Sequence, residues 1–472
     1  MKKLISFICM FCILFVGGCG NGAAEAQNET ANQAQADAAQ NEAASQAQAE
    51  TAQNEAAGQA QAETAQNDAA STQPESEAGQ TAAQPDNAQA AAEPEYVEYV
   101  VREGVTPKMV SLSQLNAGNQ VRLAEKLKKA RDGGEITIAF IGGSITQGTS
   151  AGSDNCYAKR IHNWFKVAYS GAKVNYINAG IGATGSYIGV HRADTDVISH
   201  NPDIVFVEFS VNDTTEATER NINSYDSLIR KLWLSESAPA VIAIATTQEN
   251  GTSFQQYHLE TAKAYDIPFI SYKDAILDVI KEGYIVWDDI SDDNIHPNTD
   301  GHKALADLLV AYLTDVTENL DSITGAESDF TTAQTADKYK NARLIRPGAD
   351  EVKQAGIFEV TENDFGGFKG TWRGSAAGET DSGSSIVFEV EAQNIALMYG
   401  RLRNKAGSFE VIIDGESVKT INAQFPNGWG DYVEVAEVAS FEETGVHTVE
   451  IKPVPVEDGS ETNFVISSLA VS

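Results

Sequence analysis

Ser144 lies within an unusual run, ITIAFIGGSITQG at residues 136–148, in which a mostly apolar stretch passes directly into Gly-Gly-Ser. A hydroxyl so placed is either a helix N-cap, accepting from a backbone N–H, or a nucleophile. Serine is a poor nucleophile near neutral pH, so the second reading needs an imidazole to take its proton and a carboxylate to hold that imidazole. Asp293 and His296, three residues apart in DDNIH, supply both groups. An oxyanion formed by attack on a carbonyl needs N–H donors, and the GIGATG loop at 180–185 and Asn212 in SVND are candidates. Each motif has a plainer reading. SVND can be a turn closed by the Asn212 side chain. Asp288, Asp289, Asp292, Asp293 and His296 can be a solvated loop or a set of hard metal ligands, although their spacing fits neither a helical zinc motif nor an EF-hand. Of the other six histidines, His162, His191, His200 and His258 fall in or beside helical runs, His302 opens the last long helix, and His447 lies in a strand-rich region.

These residues need elements to bring them together. Asn119 to Arg131 reads as an amphipathic helix, and strand-like and helical runs then alternate: IAFIG, YAKRIHNWFKVAY, VNYINAG, YIGVHRADTDVI, DIVFVEFS, SYDSLIRKLWL, AVIAIATT, FQQYHLETAKAY, PFISY and a final helix from about Asp300 to Leu320. Alternation of this kind predicts a mostly parallel sheet with flanking helices, with chemistry beyond the carboxyl ends of the strands. Ser144, the GIGATG loop and Asn212 fall after successive strands, and Asp293 and His296 precede the last helix. From about residue 322 to 348 the pattern lapses into Thr, Ala, Ser and Asp and is expected to be a linker. Beyond it the period becomes two, in SIVFEVEA, SFEVIIDGESVKTI and NFVISSLAV, which predicts an all-β sandwich over 349–472 with a hairpin at Asp414-Gly415. Trp372, Tyr399, Trp429 and Tyr432 lie among glycines there, either as stacking platforms for sugar rings or as core and loop anchors.

The first hundred residues do no such chemistry. Lys2 and Lys3 precede an apolar run from Leu4 to Val16, too short to span a bilayer stably, and Val-Gly-Gly-Cys follows. The end of this segment resembles a bacterial lipobox, which makes residues 1–19 a signal peptide and Cys19 a lipidated N-terminus. Cys156 is then the other cysteine left in the mature chain, and no intramolecular disulfide is expected. Residues 20–93 are almost entirely Ala, Gln, Asn, Glu, Thr and Ser, with a repeat beginning at Gln40 and Gln53, and are expected to form a disordered tether. The net charge is −34, and residues 20–101 hold fourteen acidic side chains and no basic one. Such a balance, with no basic stripe, argues against a nucleic-acid partner.

Residues 119–317 resemble an SGNH (GDSL-type) hydrolase. Gly142-x-Ser144 matches the first block of that family, Asn212-Asp213 the third, and Asp293-x-x-His296 the fifth. The resemblance implies a three-layer flavodoxin-like α/β domain over residues 94–320, followed by a linker at 321–348 and the β domain. It implies Ser144 as nucleophile, Asp293 and His296 as its triad partners, and an oxyanion hole from Ser144, the Gly182/Ala183 region and Asn212, with no metal and no cofactor. Three positions depart from the pattern. Gly143 stands where the family has aspartate, Ser210 where it has glycine, and counting from Asn178 puts Ala183 where the oxyanion glycine is expected, with Gly182 beside it. Relatives with GGSIT and an accessory β-sandwich are commonly carbohydrate O-acetyl esterases, so the resemblance implies short-chain ester hydrolysis on an acylated glycan by a monomer held outside the cell membrane by the lipid on Cys19. The other readings are a non-catalytic surface glycan-binding lipoprotein and an esterase or lipase for other small esters.

Overall fold

The structure, a computed structural model, describes residues 104–214 and 217–472. Cys19, the signal segment and the repeat-bearing tether lie outside the described residues. Six strands form the first sheet: β1 Gln114–Asn116, β2 Glu135–Gly142, β3 Lys173–Gly180, β4 Ile204–Glu208, β5 Ala240–Ala245 and β6 Phe269–Ser271. Their order is β1-β6-β5-β4-β2-β3; β2 to β6 are parallel, and the short edge strand β1 runs antiparallel to β6.

The sequence of β2 shows why there are three layers. Its side chains alternate between faces, so Ile136, Ile138 and Phe140 enter one apolar cluster while Ala139 and Ile141 enter another on the opposite face. All five are fully buried, and burying each larger side chain contributes about 1.5–3 kcal/mol. The helices that cover the faces are α1 Pro107–Ser113, α2 Val121–Arg131, α3 Ser144–Gln147, α4 Tyr157–Ala168, α5 Ser186–Asp196, α6 Thr218–Trp233, α7 Gln255–Ala264, α8 Tyr272–Lys281 and α9 Thr299–Glu318. In α2, Leu123, Ala124, Leu127 and Ala130 make the buried stripe, and Lys128, Lys129 and Arg131 sit in the last turn, where the helix dipole favours cations. Asn298 caps α9 by accepting from the N–H groups of Asp300 and Gly301.

The second sheet is all antiparallel and comprises β7 Arg343–Ile345, β8 Val352–Gln354, β9 Glu359–Thr361, β10 Thr371–Ala376, β11 Ile386–Arg401, β12 Ser408–Ile413, β13 Glu416–Asn422, β14 Tyr432–Val454 and β15 Thr462–Val471. Asp414 and Gly415 both take left-handed φ, 52° and 86°, between β12 and β13, as the hairpin signal requires. The long, bulged strands β11 and β14 carry one continuous ladder through the domain, with a core that includes Phe388, Leu397, Phe409, Val449 and Ile466.

One expectation is corrected here. The segment expected as a linker is a fastened strap: Phe330 stacks on Trp233 and on Tyr265, at centroid distances of 4.3 and 4.4 Å, Arg230 pairs with Asp337, Thr335 bonds to Asp226, and residues 343–345 already pair with β15. Polar composition hid it because a few anchors, Phe330, Thr335 and Asp337 among them, suffice to hold an otherwise solvated run. Of the two readings open for the aromatics of the β region, Trp372 and Tyr399 take that of core anchors, buried and packed against Phe388 and Phe409; Tyr432 donates to Glu434 at 2.8 Å, and Trp429 is half-exposed. The α/β and β regions also share one apolar cluster, in which Phe368, Ala396, Met398, Val433 and Ala470 join Tyr187 and Val190.

Candidate active site

Ser144 opens the four-residue helix α3 at the carboxyl end of β2, and Asn212 follows β4, the neighbour of β2 on the side away from β3. The chain order reverses between these strands, which is where parallel sheets open a crevice. Gly143, not Ser144, is the N-cap of α3, and no side chain caps that helix. The capping reading of the hydroxyl therefore fails on geometry. Ser144 Oγ lies 2.8 Å from His296 Nε2, and His296 Nδ1 lies 2.6 Å from Asp293 Oδ2. A carboxylate only accepts, so Nδ1 carries the proton and Nε2 is left free to accept from the serine.

The loop that holds this histidine is built locally. Asp293 Oδ1 accepts from the N–H groups of Ile295 and His296 at 2.7 and 2.6 Å, and Ser291 Oγ and Trp287 Nε1 both donate to the Asp293 carbonyl. Partial burial alone would raise the Asp293 carboxyl; the hydrogen bond and charge of His296 outweigh it, and the net shift is below the usual carboxylate range. Asp288, Asp289 and Asp292 are exposed, and Asp289 accepts from Val286 N–H. Among the described residues no three His, Cys, Asp or Glu side chains converge on a metal position. Trp287 is buried and braces the Asp293 carbonyl.

The donor side of the site is assembled from three elements. Gly182 N–H is already taken by Gln147 Oε1 at 3.0 Å, whereas Ala183 takes a left-handed φ of 57° and its N–H makes no hydrogen bond among the described residues. Asn178, on β3, ties the loop to α3 by donating to Thr146 O and accepting from Gly180 N–H. The departure at position 143 has a steric reason, since a Cβ there would stand 2.1 Å from Asn212 Oδ1 and 2.9 Å from its Cγ. Glycine lets the Asn212 amide lie against the backbone next to Ser144.

A second pair was not legible in advance. Asp213 Oδ2 lies 3.0 Å from His258 Nε2, and Asp213 Oδ1 accepts from Ser186 N–H, which fastens the start of α5 to the end of β4. The two residues stand 45 apart with no motif around His258.

A serine hydroxyl, an imidazole and a carboxylate thus stand in one hydrogen-bonded row at the switch point of a parallel sheet, an arrangement that can carry out nucleophilic acyl transfer. The model of the GDSL-like lipase/acylhydrolase family matches residues 140–304. A solved two-domain esterase active on acetylated mannans is 31% identical and covers 77% of this chain; the match spans 97% of that chain with a TM-score of 0.68 in crystals with mannopentaose, and 98% with a TM-score of 0.71 in another crystal structure of the esterase. Thioesterase 1/protease 1/lysophospholipase L1 of Escherichia coli (strain K12) is 22% identical over 186 residues, 38% of this chain and 83% of its own length. The chain belongs to the GDSL-like lipase/acylhydrolase family and is an ester hydrolase.

Proposed function

We propose that the chain removes acetyl groups from a polysaccharide through Ser144, His296 and Asp293. The observation that carries this reading is the unbroken row from Ser144 Oγ to His296 to Asp293. Ser144 Oγ attacks the acetyl carbonyl while its proton passes to His296 Nε2, and Asp293 steadies the imidazolium. The oxyanion takes hydrogen bonds from Ser144 N–H, from the Asn212 side chain and from the second-block loop. Of the two candidates in that loop, Ala183 is favoured, because its N–H is uncommitted while Gly182 N–H is held by Gln147. Collapse breaks the acyl C–O bond, His296 returns the proton to the sugar oxygen, and water attacks the acetyl-serine with His296 again as base, releasing acetate.

The likeness to the mannan esterase runs through both domains, which supports an acetylated glycan as substrate over a soluble ester alone. We extend the proposal to a monomer outside the cell membrane, tethered by lipid on Cys19; lipid still incorporated by a Cys19→Ser protein would overturn that anchor. The substrate is tested by acetate release from acetylated mannan, xylan, pectin and peptidoglycan. Release from one or more of these is expected from the parent chain and none from Ser144→Ala; release from small chromogenic esters only would refute the glycan reading.

A further inference from the structure

We infer that Arg192 is a positioning residue, a buried clamp across the carboxyl ends of β2 and β3 that sets where Ser144 stands relative to the oxyanion loop. The inference rests on the reading of Ser144 as nucleophile. Arg192 projects from α5 and is fully buried. Its Nη2 donates to Gly142 O at 3.0 Å and its Nη1 to Ala179 O at 2.6 Å. In the parallel ladder Ile141 is opposite Ala179 and Gly142 is opposite Gly180, so the guanidinium spans the last rungs of the pair. Two residues beyond Gly142 comes Ser144, and two and three beyond Gly180 come Gly182 and Ala183. Gly142 O also accepts from Ile181 N–H at 3.1 Å, the residue that leads into the donor loop.

A buried guanidinium is an expensive way to join two strands. Removing such a charge from water costs several kcal/mol, and well-packed apolar side chains often replace buried ion pairs without loss of stability. What the planar fork adds is geometry: two acceptors held at fixed spacing, which a lysine ammonium cannot reproduce. Its counter-ion, Asp196 Oδ2 at 3.2 Å, is partly exposed and also faces Arg346, just beyond β7, at 3.4 Å. The clamp under the active site is thus balanced by a carboxylate that the β-domain side also holds.

The test uses the parent chain, Arg192→Lys, Asn212→Ala and their double variant, with kcat and KM measured on a soluble acetate ester. Arg192→Lys is expected to lower kcat by about 10- to 100-fold, the scale of a misplacement near 1 Å, with KM within about twofold. Because both changes act on one oxyanion geometry, the double variant is expected to lose less than the product of the single losses. A folded Arg192→Lys protein with parental kcat, or losses that multiply, overturns the inference. Should Arg192→Lys fail to fold, Asp196→Asn decides: a several-fold fall in kcat at unchanged KM supports the clamp and a parental kcat overturns it. Labelling with a fluorophosphonate, mapped by mass spectrometry, separates the two levels. Label absent from Ser144 in the parent refutes the nucleophile, whereas label on Ser144 with no kcat change in Arg192→Lys refutes the clamp alone.

Discussion

His296 and His258 each hold an aspartate through one ring nitrogen, Asp293 at 2.6 Å and Asp213 at 3.0 Å, yet their other nitrogens meet different surroundings. His296 Nε2 faces a serine hydroxyl, and the side chains of His296 and Asp293 are 21% and 24% exposed. His258 Nδ1 is buried with no hydrogen-bond partner among the described residues, its ring lies against Tyr225 at a centroid distance of 3.6 Å, and both members of its pair are 1% exposed. A histidine and a carboxylate do not make a base for catalysis. A proton donor on the far nitrogen and access for substrate and water do, and the second pair has neither. Its work is to fasten Ser186 and α5 to the end of β4.

The comparison predicts where damage will show. Ser144→Ala and His296→Ala should each lower kcat by at least about 10⁴-fold, with the double variant hardly worse, since members of a triad act as one unit. Asp293→Asn should cost about 10⁴-fold by favouring the wrong tautomer. Retained turnover in any of these folded variants would place the chemistry elsewhere.

The buried pair should break in the other currency of protein variants, stability. Asp213→Ala leaves His258 and Ser186 N–H without their partner and should cost about 3–5 kcal/mol in urea unfolding, while the folded fraction keeps kcat within about tenfold. A loss of turnover as deep as that of His296→Ala, without a stability loss, would mean the two pairs are not so different.

The smallest effect concerns pH. Burial, the dominant cause, lowers His191 and His302 from 6.5 to about 4. The unfolded chain therefore binds these protons first, and the folded chain loses stability as pH falls from about 6.5 toward 4. Each histidine should account for roughly 2–3 kcal/mol by pH 4. Urea titrations across that window read the loss, and His302→Gln, if folded, should flatten it; an unchanged slope would show that His302 is not held neutral.

Asp293 and His296 were legible because only two residues separate them, and a loop that short closes its own bonds, with Asp293 Oδ1 reaching the His296 N–H unaided. The strands were legible for a similar reason, since alternation along β2 assigns each side chain to a face before any partner is known, and Asp414-Gly415 carries its left-handed turn in its own residue types. What no local pattern holds is any contact across the sheet. Ser144 and His296 are 152 residues apart and meet because β2 sits between β3 and β4 while α9 begins beside them. The same strand order places Arg192 beneath Gly142 and, among the described residues, leaves Ala183 rather than Gly182 with an uncommitted N–H, while packing in the second sheet decided that Trp372 and Tyr399 are core anchors rather than sugar platforms. Residue type and spacing set what each segment can do alone, and the packing of distant segments decided which hydroxyl, amide and ring were left free to act.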